Sequence, residues 1–135
     1  MTKDIDPSLD FYIEAILGKK TFNVVALDVA ELTSYADVFI FCSGRSNRQV
    51  SAIADNIQAT LKKKHKIKPI SVEGTKDGHW VLMDYGHVII HVFYEPVREF
   101  YDLEGLWVDA KRIMTPSLEK HRDAEESAQK RDDVQ

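Results

Sequence analysis

The chain has 135 residues, 44% of them hydrophobic, which suits one domain of ordinary size with a single core. A formal charge of −4 argues against broad binding to phosphate backbones, and no apolar run nears the roughly 20 residues of a membrane span. The acidic N-terminus lacks the basic-then-apolar order of a secretory leader, so a cytoplasmic protein is expected.

Asp6-Pro7 reads as a helix start, with Asp as cap and Pro at the first helical position; Leu9, Tyr12, Ile13, Ile16 and Leu17 follow at helical spacing up to Gly18. The segments 23–29 and 36–42 are rich in Val, Ile and Phe and predict two strands, the second broken by Ser43-Gly44-Arg45-Ser46. The lone Cys42 lies in the apolar stretch of that second strand, which excludes an internal disulfide and predicts a buried, inert thiol. A helix is expected from Ser46, with Val50, Ile53, Ala54, Ile57 and Leu61 on one face and Lys62-Lys63-Lys64-His65 at the negative end of its dipole. A short strand from Ile70 to Glu73 ends at Gly74, and a hairpin follows from His79 to Phe93. Pro96 then opens a short helix through Val97, Phe100 and Tyr101, followed by Leu103, Leu106 and Trp107.

This order predicts an α/β domain of the α+β type, a mixed five-stranded sheet flanked by helices, over residues 1–110. Residues 111–135 read as a charged, flexible tail: from Met114 onward there are six acids, four bases and few large apolar side chains.

The hairpin carries the most information. With Tyr85-Gly86 as its two-residue turn, Asp84 pairs with His87, Leu82 with Ile89 and Trp80 with His91. One face is then Val81, Met83, Val88, Ile90 and Val92, the pattern of a sheet buried under helices. The other face mixes Trp80, Leu82, Asp84, His87, Ile89 and His91, an apolar anchor with a polar surround, as binding patches have. A sheet covered on both sides, with Trp80 packed beneath a loop or helix, accounts for the same residues.

Chemistry is the weaker reading. His79, His87 and His91 invite a metal, but His87 and His91 lie four strand residues apart, roughly 13 Å at about 3.3 Å per residue. Gly44-Arg45-Ser46 at a helix start could offer amides to a phosphate, with Arg45 and Arg48 nearby, yet Ser46 as a plain N-cap explains it. Asp28, Asp37, Glu73 and Asp84 lie at or near strands without the acid-x-acid spacing that would converge on two metals for nucleotidyl transfer. The basic run 62–68 suits either RNA contact or a solvated helix end, with the helix end favoured. No nucleophile-and-base set can be proposed, and no cofactor is expected.

Taken together, Leu27-Asp28-Val29, Ala36-Asp37-Val38-Phe39-Ile40, Ser43-Gly44-Arg45-Ser46, Val72-Glu73-Gly74, Trp80-Val81-Leu82-Met83-Asp84-Tyr85-Gly86, His91-Val92-Phe93 and the run from Arg98 to Trp107 resemble the ribosomal silencing factor family, also called RsfS or Iojap-like. The similarity runs in order over about residues 9–110. It implies a nucleotidyltransferase-like fold without catalytic acids, hence a protein that is not an enzyme. It also implies a partner, the large ribosomal subunit, met through ribosomal protein L fourteen, so that subunit joining is blocked when nutrients are scarce. Family members also form dimers, and direct RNA contact is an open question. Carried over by position, the partner-binding surface includes Trp80 and extends over the neighbouring hairpin; Leu82, Asp84 and Tyr85 are expected to support it, with Glu73, His91 and Arg98 as outer candidates. His87 stands where the family commonly has an acid: opposite Asp84 it would either form a charge-assisted pair as pH falls or replace a carboxylate that would have met a basic partner. The competing readings are a nucleotide-binding or nucleotidyltransferase-type enzyme, and self-association through the Trp80 face.

Overall fold

A computed structural model describes residues 6–133. The first five residues, on which the absence of a leader was read, and the last two of the charged tail lie outside it, as do the side chains from 129 onward.

The first helix, α1 (Leu9–Leu17), starts two residues later than Asp6-Pro7 predicts: Ser8 stands at its N-cap without a side-chain cap bond, Asp6 accepts the Ser8 amide at 2.9 Å in the turn before it, and the helix ends at Gly18. Its buried residues, Leu9, Tyr12, Ile13, Ala15 and Ile16, follow the helical spacing of the sequence. β1 (Phe22–Asp28) and β2 (Val38–Gly44) pair antiparallel, with an irregularity between Phe22 and Val25 where Asn23 takes a φ of 52°. β2 runs two residues further than expected. Ser43 is buried and Gly44 leaves room for α2, because an added Cβ would sit 3.0 Å from Val50 Cγ2.

α2 (Asn47–His65) is capped by Ser46, whose Oγ accepts the Gln49 amide at 3.1 Å. It buries all five residues expected of its apolar face, namely Val50, Ile53, Ala54, Ile57 and Leu61. At its other end Lys66 turns left-handed (φ 57°), and the amides of Lys66 and Ile67 close onto the carbonyls of Lys62 and Leu61. β3 (Ser71–Glu73), β4 (Trp80–Asp84) and β5 (Val88–Tyr94) follow, then α3 (Glu95–Tyr101) and a 3-10 turn over Leu103–Trp107.

The chain then returns to the sheet. β6 (Lys111–Ile113) pairs antiparallel with β1, Ala26 opposite Ile113, so the described residues form a six-stranded sheet in the order β3-β4-β5-β2-β1-β6. Among the described residues only β2 and β5 run parallel, as the helix α2 crossing between them allows. The fifth strand expected from sequence is thus joined by a sixth, and the boundary placed at 110 falls inside the fold. α4 (Pro116–Asp133) follows; Leu118 is buried, and Asp10 of α1 accepts both the amide and the hydroxyl of Ser117, at 3.1 and 2.7 Å. Three sheet residues and one apolar anchor are too few to raise the hydrophobic signal of a charged segment, so their pairing was invisible in composition.

The two sheet faces differ. Val81, Met83, Val88, Ile90 and Val92 point into the main core with α1 and α2, as the alternation predicts. Opposite them Leu27, Phe39, Phe41 and Phe93 form a second cluster with Val97, Leu103 and Trp107.

Candidate functional site

The hairpin register places the site. Trp80 lies opposite Phe93, Leu82 opposite His91 and Asp84 opposite Ile89, while the Tyr85 amide bonds to the Val88 carbonyl at 2.9 Å. The loop is therefore Gly86-His87, not Tyr85-Gly86. The reason is local: the first loop residue has a φ of 92°, which glycine adopts without a Cβ penalty, and Tyr85 is left free to pack edge-on against Tyr12. A two-residue change of partner keeps the strand side chains on their expected faces, with His87, now in the loop, as the exception. It also undoes the expected His87–Asp84 pair. Asp84 instead accepts the Gly86 amide at 2.8 Å, and exposed His87 faces Tyr12, edge-on at 6.0 Å.

On the Trp80 face, cross-strand pairing brings Glu73 of β3 beside Leu82 and sets Trp80 and Leu82 beside Phe93 and His91 of β5. α3 and the 3-10 turn cover the side of this face nearer β5 and β2, so Phe39, Phe41, His91 and Phe93 are buried there. Toward the β3 edge, Leu82 and Asp84 are half-buried and Glu73 is exposed. Trp80 sits at the border. Its ring stacks on Phe93 at 5.0 Å, and its indole N–H donates to His91 Nδ1 at 3.1 Å. Accepting that bond leaves the proton of neutral His91 on Nε2. Burial pushes the imidazole down to about 4, which favours the neutral form this bond needs.

Of the seven expected interface residues, the structure brings Trp80, Leu82, Asp84 and Glu73 to or near the surface on one side. It withdraws the other three. Tyr85 lies on the opposite face in the α1 core, where burial raises its phenol to about 12; His91 lies beneath Trp80; and Arg98 is 7% exposed. The Arg98 guanidinium bonds Glu104 Oε1 at 2.6 Å, the Asn23 carbonyl at 2.7 Å and Ser43 Oγ at 2.7 Å, tying α3 to the irregular stretch of β1 and the end of β2.

Sequence reasoning missed the neighbours. Tyr101, 58% exposed, lies 5.5 Å from the Trp80 ring, and Phe100 is 81% exposed with its ring edge-on to Tyr101. Leu106 and Val108 of the same segment are also exposed. A seven-residue helix presents one narrow stripe to the sheet, here taken by Val97 and Arg98, so the adjacent Phe100 and Tyr101 could not both follow it; that spacing was the available signal.

The catalytic alternatives find no common point. Asp28 and Asp37 line a cavity of about 190 Å³ with Asp6 and His87, Asp84 caps its own turn, and Glu73 stands on the edge strand. Among the described residues no three His, Cys, Asp or Glu side chains are grouped to hold a metal. At Gly44-Arg45-Ser46 the Arg45 amide donates to the Gln49 side chain, Ser46 caps α2, and the Arg45 guanidinium lies over Phe22 at 4.8 Å. Cys42 is buried, and burial holds its thiol up at about 12. No helix among the described residues is long and apolar enough to cross a membrane.

Fold and site together define a mixed-sheet α+β domain whose Trp80 side presents aromatic and aliphatic side chains to solvent. Residues 2–135 match the family model RsfS, ribosomal silencing factor during starvation, and the chain belongs to that family of ribosome-associated silencing factors. Among its relatives is the ribosomal silencing factor RsfS of Chromobacterium violaceum, 41% identical over 95 residues, spanning 70% of this chain and 77% of that one. The factor of the same name from Halalkalibacterium halodurans is 37% identical over 105 residues, spanning 78% and 89%. A crystal structure of a Chromobacterium violaceum protein superposes with a TM-score of 0.72 at 38% identity, covering 78% of this chain and 87% of the other.

Proposed function

We propose that this protein is a noncatalytic cytoplasmic factor that binds the large ribosomal subunit through ribosomal protein L fourteen and blocks joining of the small subunit under nutrient limitation. Steric exclusion needs no turnover: a folded domain seated on the joining surface leaves no room for the other subunit. The observation that carries this reading is the half-buried Trp80, fixed from below by His91 and Phe93 and continued outward by Tyr101. A rigid aromatic held at a surface is what an interface anchor requires, because little side-chain freedom is lost on binding. Leu82, Asp84 and Glu73 supply the surrounding contacts, while His91 and Arg98 support the face from beneath.

The test is co-sedimentation with purified large subunits, wild type beside Trp80→Ala, with folding of the variant checked by circular dichroism. Truncation costs on the order of 2 kcal/mol if the ring fills a partner pocket, or about 30-fold in affinity. Unaltered binding by a folded Trp80→Ala variant would refute the placement, and absence of wild-type binding would refute the function.

The exposed row Phe100, Tyr101, Leu106 and Val108 favours a second reading, self-association through the same side. Sedimentation velocity across a concentration series decides it: a monomer throughout removes the dimer.

A further inference from the structure

Five of the eighteen Lys and Arg residues fall within the seven positions 62–68 with no acid among them, so the other 128 residues carry −9. Lys62, Lys63, Lys64, Lys66 and Lys68 are all exposed, and among the described residues only Lys64 has an ion-pair partner, Glu14 at 3.6 Å. A favourable helix dipole accounts for the lysines of the last turn. It does not account for Lys66 and Lys68, which lie beyond the helix end, after the left-handed cap has satisfied the carbonyls of Leu61 and Lys62. The cap also bends the chain, gathering the run around one end of α2.

A second feature stands among these cations. Phe11 of α1 stacks face to face on His65 at 3.8 Å, with planes 10° apart, and keeps 37% of its surface in solvent. The pair is bracketed by Lys64 and Lys66 in sequence, and the Glu14–Lys64 contact lies one turn along α1 from Phe11. Cations for phosphates beside an accessible stacked ring are the combination that holds single-stranded nucleic acid, since every base offers a flat face. A membrane surface would ask for a row of apolar side chains here, but Ile67 packs against the core, leaving Phe11 and, just beyond Lys68, Ile70 exposed, two groups and not a row.

We propose that this end of the α1–α2 layer is a contact for single-stranded RNA, with phosphates on Lys62, Lys63, Lys66 and Lys68 and a base on the Phe11–His65 pair. It lies across the sheet from Trp80, so it stands independently of the protein-binding reading above. On a ribosome, such a contact would reach an unpaired RNA segment from the side of the domain turned away from the Trp80 face.

The experiment is fluorescence anisotropy of a labelled 12-nucleotide single-stranded RNA titrated with the full chain at several salt concentrations. Four phosphate contacts predict a log affinity against log salt slope of about −3. Replacing Lys62, Lys63, Lys66 and Lys68 together by Gln should bring the slope near zero and weaken binding at least 10-fold at low salt. Phe11→Leu should weaken binding several-fold with the slope unchanged, and Trp80→Ala should leave RNA binding intact. Circular dichroism verifies the fold of each variant. Absence of binding at low salt, an unchanged slope in the lysine variant, or tighter binding to anionic phospholipid vesicles than to RNA would each overturn the proposal.

Discussion

Replacing Arg98 by Ala tests whether the Trp80 side is held in place by the network beneath it. The guanidinium is 7% exposed and makes three short bonds: to Glu104, to the Asn23 carbonyl and to Ser43 Oγ. Removing it strands the buried Ser43 hydroxyl, a backbone carbonyl and a carboxylate. Breaking a buried ion pair from one side costs about 3–5 kcal/mol. The Glu104 side chain, 29% exposed, regains part of its hydration, so the lower end applies, about 3 kcal/mol. For a chain of this size that is a fall in Tm of roughly 10 °C. Arg98→Lys keeps the charge but not the fork and should recover less than half. The assay is urea denaturation followed in parallel by circular dichroism and tryptophan fluorescence. Trp80 and Trp107 both belong to the layer that Arg98 secures, so their signal should change before the helical signal in the variant. A loss below about 1 kcal/mol with coincident transitions would show that the network does not hold α3, and the reasoning would fail.

Three further outcomes are expected. His91 titrates at about 4 in the fold against 6.5 when free, so between those values the unfolded chain binds the extra proton. Its contribution is complete above pH 6.5 and is lost as pH falls toward 4, by up to about 1.4 kcal/mol per pH unit; His91→Asn should flatten that part of the Tm profile, and an unchanged slope would contradict the assignment. Gly74→Ala should destabilise by about 3 kcal/mol or more in urea titration, because φ is 92° and the new Cβ would lie 2.1 Å from the Trp80 carbonyl oxygen; a loss below about 0.5 kcal/mol would refute the close approach. Ser46→Ala should cost about 1 kcal/mol through the lost α2 cap, and Ser46→Asp should restore it, read from chemical denaturation midpoints.

What could be read from sequence was what has a period. The buried stripe of α2 and the apolar ladder of the hairpin follow from spacings of 3.6 and 2, and each lies where it was expected. The hairpin turn was misplaced by one residue, and the cross-strand partners by two, because Tyr85-Gly86 and Gly86-His87 both contain the one glycine, and only the packing of Tyr85 against Tyr12 separates them. β6 was missed because three residues carry no period, and its reason for forming is the free edge of β1, remote in sequence. For the site, the residue types drew attention to the right face, but depth could not be read. His91 and Arg98 look like surface chemistry in a list of residues, and only the covering α3 and 3-10 turn explain their burial. Phe100 and Tyr101 were legible as an aromatic pair and illegible as exposed ones.

The bond between Asp10 and Ser117 spans 107 positions, and β6 completes the sheet beside a strand made near the beginning of the chain. During synthesis, β1 therefore waits with one edge uncovered while almost the entire domain is translated. An unpaired strand edge is a template for pairing with another chain. A released chain that has not yet docked β6 therefore presents its Phe- and Val-rich strands with that edge still open, a species prone to aggregate.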